Sequence, residues 1–105
     1  MATVIQGGQQ LRGVYSEMWL VTETVNFGNA ATGSGTFASV DVTVPNVALG
    51  DIVTGISMGV DTVDGAVVGA VTAANTVTLT LLNNSAGAID LASTTCKFIV
   101  GRPSW

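Results

Sequence analysis

The residues of this 105-residue chain that could do chemistry are few: seven carboxylates, three basic side chains, one cysteine and no histidine. Glycoside hydrolysis needs two carboxyl groups facing each other across the bond that breaks, and Glu17, Glu23, Asp41 and Asp51 are the acids from which such a pair would be drawn. They stand singly among residues of strand character, which is how solvated strand faces carry charge. Asp61-Thr62-Val63-Asp64-Gly65 has two acids and the glycine of half a calcium loop. It lacks the further acids and the closing bidentate Glu, so it reads as an Asp/Gly turn. Without histidine there is no Ser-His or Cys-His couple and no imidazole ligand or base. Gly7-Gly8 and Gly33-Ser34-Gly35 precede neither a Lys-Ser/Thr pair nor a helix start, so they are loops rather than phosphate cradles. Cys96 alternates with Phe98 and Val100 and has the setting of a small buried hydrophobe. We therefore expect no catalytic, cofactor-binding or metal-ligating residues, and a protein that is not an enzyme.

Charge narrows the partners. A net charge of -4 with only Arg12, Lys97 and Arg102 as dispersed cations gives no phosphate-binding patch, so nucleic acid is not an expected partner. Mean hydropathy is high at +0.56, yet Thr, Asn, Asp or Gly interrupts every apolar stretch well before the roughly 18 residues that a spanning helix needs. No membrane partner is expected. The first residues, Met1-Ala2-Thr3-Val4-Ile5-Gln6-Gly7-Gly8, lack the basic start and long apolar region of a secretory signal, and a lone cysteine forms no internal disulfide. These features predict folding in a reducing cytoplasm.

The elements that must position any functional residue are strands. No long stretch places apolar residues at i, i+3, i+4 and i+7, whereas period-two alternation is dense. In Thr76-Val77-Thr78-Leu79-Thr80-Leu81-Leu82-Asn83 the apolar residues Val77, Leu79 and Leu81 fall on one face and three threonines on the other. Such a threonine row is of the kind that ice-binding surfaces stack, but one row alone reads as an outward strand face. Ser39-Val40-Asp41-Val42-Thr43-Val44-Pro45 puts three valines inward and ends at a proline. Further strands are predicted over 17–26, 52–58, 66–72 and 94–100. Ala73-Ala74-Asn75, with Asn suited to a left-handed conformation, joins two of them as a hairpin. Short strands at this spacing predict an all-β fold, a small antiparallel β-sandwich or a barrel.

The expected organisation is one β domain over 1–105: an extended arm over 1–14, a sandwich core over 15–100 and a tail over 101–105. Trp19 and Phe37 belong by default to the core. Trp19-Leu20-Val21 in succession implies that both faces of that strand are covered, which points to a partner. Trp105 follows Gly101-Arg102-Pro103-Ser104 and stays in water unless something covers it. We therefore assign the partner interface to Trp105, Arg102, Pro103, Tyr15 and Trp19.

Between Val42 and Val100 four pieces occur in order: Val44-Pro45, Ala48-Leu49-Gly50-Asp51-Ile52-Val53, Gly69-Ala70-Val71-Thr72-Ala73-Ala74-Asn75-Thr76-Val77-Thr78-Leu79, and Asn84-Ser85-Ala86-Gly87-Ala88-Ile89-Asp90-Leu91-Ala92-Ser93. In this order and spacing they resemble small virion proteins of tailed bacteriophages, the capsid decoration (cement) or head-fibre proteins. Asp90-Leu91 departs from the Asp-Pro expected there. The resemblance implies a jelly-roll-like β-sandwich without catalytic residues, a homotrimer whose partner is the major capsid protein. It would sit on the outside of the head at capsomer junctions, after synthesis in the host cytoplasm. The alternative is a receptor- or carbohydrate-binding module of a phage tail or head fibre, using exposed Tyr15 and Phe27 beside Asn26 and Asn29.

Overall fold

Strict alternation of Val or Leu with Thr between residues 76 and 83 makes the strand that organises the molecule, because one face is wholly apolar and the other wholly β-branched polar. The computed structural model describes residues 3–7, 14–30, 36–62, 65–83 and 87–104. Among these the strands are β1 (Thr3–Gly7), β2 (Tyr15–Val25), β3 (Asn29–Ala30), β4 (Thr36–Thr43), β5 (Ile52–Met58), β6 (Gly65–Ala73), β7 (Thr76–Asn83), β8 (Ile89–Asp90) and β9 (Thr94–Pro103), with no helix. The all-β, sandwich-like architecture is therefore the one the alternation predicts.

All pairing is antiparallel. A four-stranded sheet has the order β1-β2-β9-β5, a three-stranded sheet the order β4-β7-β6, and β3 pairs with β8 in a two-residue ribbon. The chain changes sheet between β2 and β4, again at β4 to β5 and β5 to β6, and returns from β7 to β9. β7 lies between β4 and β6, and its inner residues Val77, Leu79 and Leu81 are fully buried. Facing them across the sandwich are Trp19 and Val21 of β2 and Cys96, Phe98 and Val100 of β9, all in one buried cluster. β4 ends at Thr43, two residues before Pro45, whose ring removes a ladder N–H. The β6–β7 hairpin turns at Ala74-Asn75 with a bulge beside Thr72 and with Asn75 at φ 62°, as its residue type predicts.

Several details depart from expectation. Phe37, assigned to the core, is 63% exposed: it shares the phase of Ser39 and Asp41 on β4 and so points outward, its size notwithstanding. Part of the expected arm over 1–14 is an edge strand, since Thr3–Gly7 pairs with residues 18–22 of β2 and Val4 packs on the core. The expected tail over 101–105 begins later, because Gly101, Arg102 and Pro103 continue β9 against β2. Gly101 sits under the Tyr15 ring, where a Cβ would come within 2.6 Å of two ring carbons. The strand can continue there only because this residue has no side chain.

Candidate partner-binding surface

At the end of the sandwich where β2 and β5 begin and β9 finishes, residues distant in sequence meet around Arg102. Its Nε donates to Asp51 Oδ1 at 3.0 Å and its Nη2 donates to Asp51 Oδ2 at 2.9 Å, a two-pronged ion pair. Nη2 also donates to the Asn46 carbonyl at 2.9 Å. The guanidinium lies 5.1 Å from the centre of the Trp19 ring, close enough for a cation–π contact. The hydrogen bond to Asp51 and the charges of Asp51 and Glu17 push the Arg102 pKa above its ordinary value against the effect of burial. The guanidinium is thus a fixed cation.

The same end is tied down a second time by Asn75. Its Oδ1 accepts from the Asn46 N–H at 2.8 Å, its own N–H donates to Val47 O at 2.9 Å, and its carbonyl accepts from the Val44 N–H at 3.0 Å. Asp51 Oδ2 in addition accepts from the Ala48 N–H at 2.9 Å. Asn46 sits at φ 77°, a conformation that Asn tolerates better than most residues. Together these bonds fix residues 44–51 to β9 and to the β6–β7 turn. Val44 and Val47 are buried beneath that segment, while Leu49, held on top, is 71% exposed. Ile52, three residues on, is 37% exposed and Val14 is 51% exposed, while Leu20, three residues further along the β2–β9 ladder from the Arg102 pair, is 43% exposed. Val14 joins this end through its carbonyl, which accepts from the Ser104 N–H at 3.0 Å.

The structure distributes the predicted interface residues unevenly. Trp19 is fully buried in the core, where its Nε1 is the one buried side-chain polar atom among the described residues without a hydrogen bond. Arg102 turns inward onto Trp19 and Asp51, so its first role is to hold this end together. Tyr15 and Pro103 are paired neighbours and half-buried at the rim. Trp105 lies outside the described residues. Leu20 between Trp19 and Val21 is left uncovered by the chain itself. Sequence reasoning missed Leu49 and Ile52 as surface residues, and Asp51, Asn46 and Asn75 as their supports. The only signal was an apolar residue inside the turn-like run Ala48-Leu49-Gly50-Asp51.

The remaining candidates resolve into structural roles. Of the four carboxylates considered for hydrolysis, Asp51 is consumed by Arg102, Glu17 adds to the field at the same guanidinium, Glu23 lies six residues along β2, and Asp41 lies in the other sheet. Thr62 and Gly65 close their turn through two mutual bonds, Thr62 Oγ1 to Gly65 O at 3.1 Å and Gly65 N–H to Thr62 O at 3.0 Å. Asp64 lies outside the described residues, and among those described no cluster of three or more potential metal ligands occurs. The threonine row is engaged within the sheet: Thr78 donates to Asp41 Oδ1 at 2.7 Å and so accepts from Thr72 at 2.8 Å, and Ser39 and Thr80 are 3.2 Å apart. Cys96 is fully buried, and desolvation pushes its thiol pKa up. Phe27, expected in an exposed binding patch, is buried because it keeps the inward phase of Val21 and Val25. Asn26 Oδ1 accepts from the Gly28 N–H at 3.0 Å, a local turn bond. An open depression of about 440 Å³ lies elsewhere, lined by Ile56, Met58, Asp61 and Val67 among others.

Comparison with known proteins adds nothing to this geometry. No family model matches the chain, and no curated protein and no solved structure is similar to it. Function must be argued from the surface itself.

Proposed function

We propose that this protein is a structural virion component, a capsid decoration (cement) protein that binds the outside of a phage head at capsomer junctions and stabilises the shell. One observation carries the reading: a hydrogen-bonded and ion-paired support holds Leu49 and Ile52 out into solvent, with Val14 exposed at the same end. Several exposed apolar side chains at one end of a small domain mark a docking surface, and a rigid support lowers the entropy lost on docking. The resemblance of residues 42–100 to phage decoration proteins supplies the partner, the major capsid protein, and implies that three copies come together on the shell. Its mechanism is additive, with each copy bridging neighbouring subunits.

Co-sedimentation of the purified protein with undecorated phage heads tests this reading. The expected result is saturable binding together with a higher temperature of shell disruption, and removal of Trp105 is expected to weaken the attachment without unfolding the protein. Heads that neither bind the protein nor gain stability would contradict it. A second reading, a receptor- or carbohydrate-binding module, now draws on Phe37. That ring is exposed on the same sheet face as Ser39, Thr80 and Asp41, an aromatic beside polar groups of the kind sugars stack on. Binding to isolated glycans, lost in Phe37→Ser, would favour it.

A further inference from the structure

The four free edges of the two sheets are not alike. β1 is short, at five residues. β5 is broken by a register shift between Thr54 and Ser57, with Gly55 at φ 63°. β6 carries the bulge beside Thr72 and packs along β5, where a Cβ on Gly69 would lie 3.0 Å from a Val53 methyl. Shortness, bulges and coverage are the devices by which sheet edges avoid pairing with other chains. β4 is neither short nor bulged, although the two-residue β3 comes close to it. Its eight residues pair with β7 in unbroken register, without proline, glycine, lysine or arginine, and among the described residues nothing pairs with its other side. Ala38 and Val40 face the core from this edge yet remain half-buried.

We infer that β4 is a self-pairing edge, which joins antiparallel to β4 of a second copy across a twofold axis to make one continuous six-stranded sheet. Because opposite residues of an antiparallel pair share a face, only registers that set odd positions against odd ones keep the inner faces together. The register centred on Val40 sets Val40 against its twin, Ala38 against Val42, Phe37 against Thr43, and Ser39 against Asp41. Each Asp41, the only charged residue of the strand, then meets a hydroxyl that can donate to it. The next register, centred on Ser39, would set Asp41 against the Phe37 ring. A strand of eight residues spans about 27 Å, and its edge buries less than the roughly 800 Å² per partner of a standard interface. The pair is accordingly dissociable on dilution.

The twofold pair is a contact of the free protein in solution, separate from the three copies proposed on the shell, and is measured on the purified protein alone. In light scattering over a dilution series, the mass is expected to rise from one copy to two and to stop there. Ser39→Lys places an ammonium against Asp41 twice per pair and is expected to hold the dimer to about fivefold to tenfold lower concentration. Ser39→Asp sets carboxylate against carboxylate and is expected to leave a monomer. Both changes are on an exposed position, and circular dichroism verifies that each variant is folded. A parent that is monomeric throughout, a parent that assembles to three or more copies, or two variants shifted in the same direction would each overturn the pairing.

Discussion

The two ends of the sandwich use their side chains differently. At the Arg102 end, closure comes from residues far apart in the chain: Arg102 with Asp51, Arg102 with Asn46, and Asn75 with Asn46. At the other end the side-chain bonds are local, Asn26 to Gly28, Thr62 to Gly65, and Asn83 Nδ2 to the Gly87 carbonyl at 2.9 Å, and distant segments are joined by backbone alone, through the β3–β8 ribbon and the Gly59 N–H to Thr95 carbonyl bond at 2.9 Å. Local side-chain bonds shape single turns and leave backbone pairing to join the loops. Long-range closure makes several loops one body, and that is the end where Leu49 and Ile52 are presented. A surface that must keep its shape against a partner is better placed on such a body.

The Arg102 end is disrupted most severely at Trp19, on whose ring the cluster rests. Trp19→Ala removes a fully buried side chain and is expected to cost about 3–5 kcal/mol, read as a lowered urea midpoint. Next comes Asp51→Ala. The Asp51 side chain is 4% exposed and accepts from both Arg102 and the Ala48 N–H, so its loss is expected to cost about 2 kcal/mol. Asn26→Ala, at the locally closed end, is expected to cost no more than about 1 kcal/mol. Equal destabilisation by the last two in thermal unfolding would erase the distinction between the ends.

A further contrast concerns pH. Near the locally closed end, pH acts on Cys96. Its folded pKa is raised by burial, above an unfolded value of about 8.5. Above that pH the unfolded chain ionises while the folded thiol keeps its proton. Stability conferred by the buried neutral thiol is therefore present below about pH 8.5 and falls as pH rises further, by at most about 1.4 kcal/mol per pH unit. Cys96→Ala is expected to flatten that slope in urea titrations between pH 8 and 10. An unchanged slope would assign it to other groups.

Much of the fold was legible in the residues. Period two located β7 and β4 with the right faces, the Asn at the hairpin marked its left-handed position, and Pro45 marked the end of a ladder. Phe37 shows where residue type misled. Its odd position placed it with Ser39 and Asp41 on the outer face, but its size argued for the core, and phase prevailed. Phe27 is the converse, an aromatic near loops whose phase took it inside. The surface was less legible, because it depends on Arg102, Asn75 and the loop carrying Asn46 and Asp51 meeting from three separate segments. No local pattern encodes a contact across 51 residues. Gly101-Arg102-Pro103 looked like a tail because its composition is that of a loop, and only the Tyr15 ring lying over Gly101 explains why the strand runs on.

Quantitative pelleting of variants with undecorated phage heads decides whether the long-range-closed end is the face that meets the shell. Leu49→Asp combined with Ile52→Asp places two charges on the proposed contact and is expected to weaken binding by at least about tenfold. Phe37→Ser, on the other outer face, is expected to bind as the parent does. Retained binding by the Leu49/Ile52 variant, or equal loss in Phe37→Ser, would contradict the account.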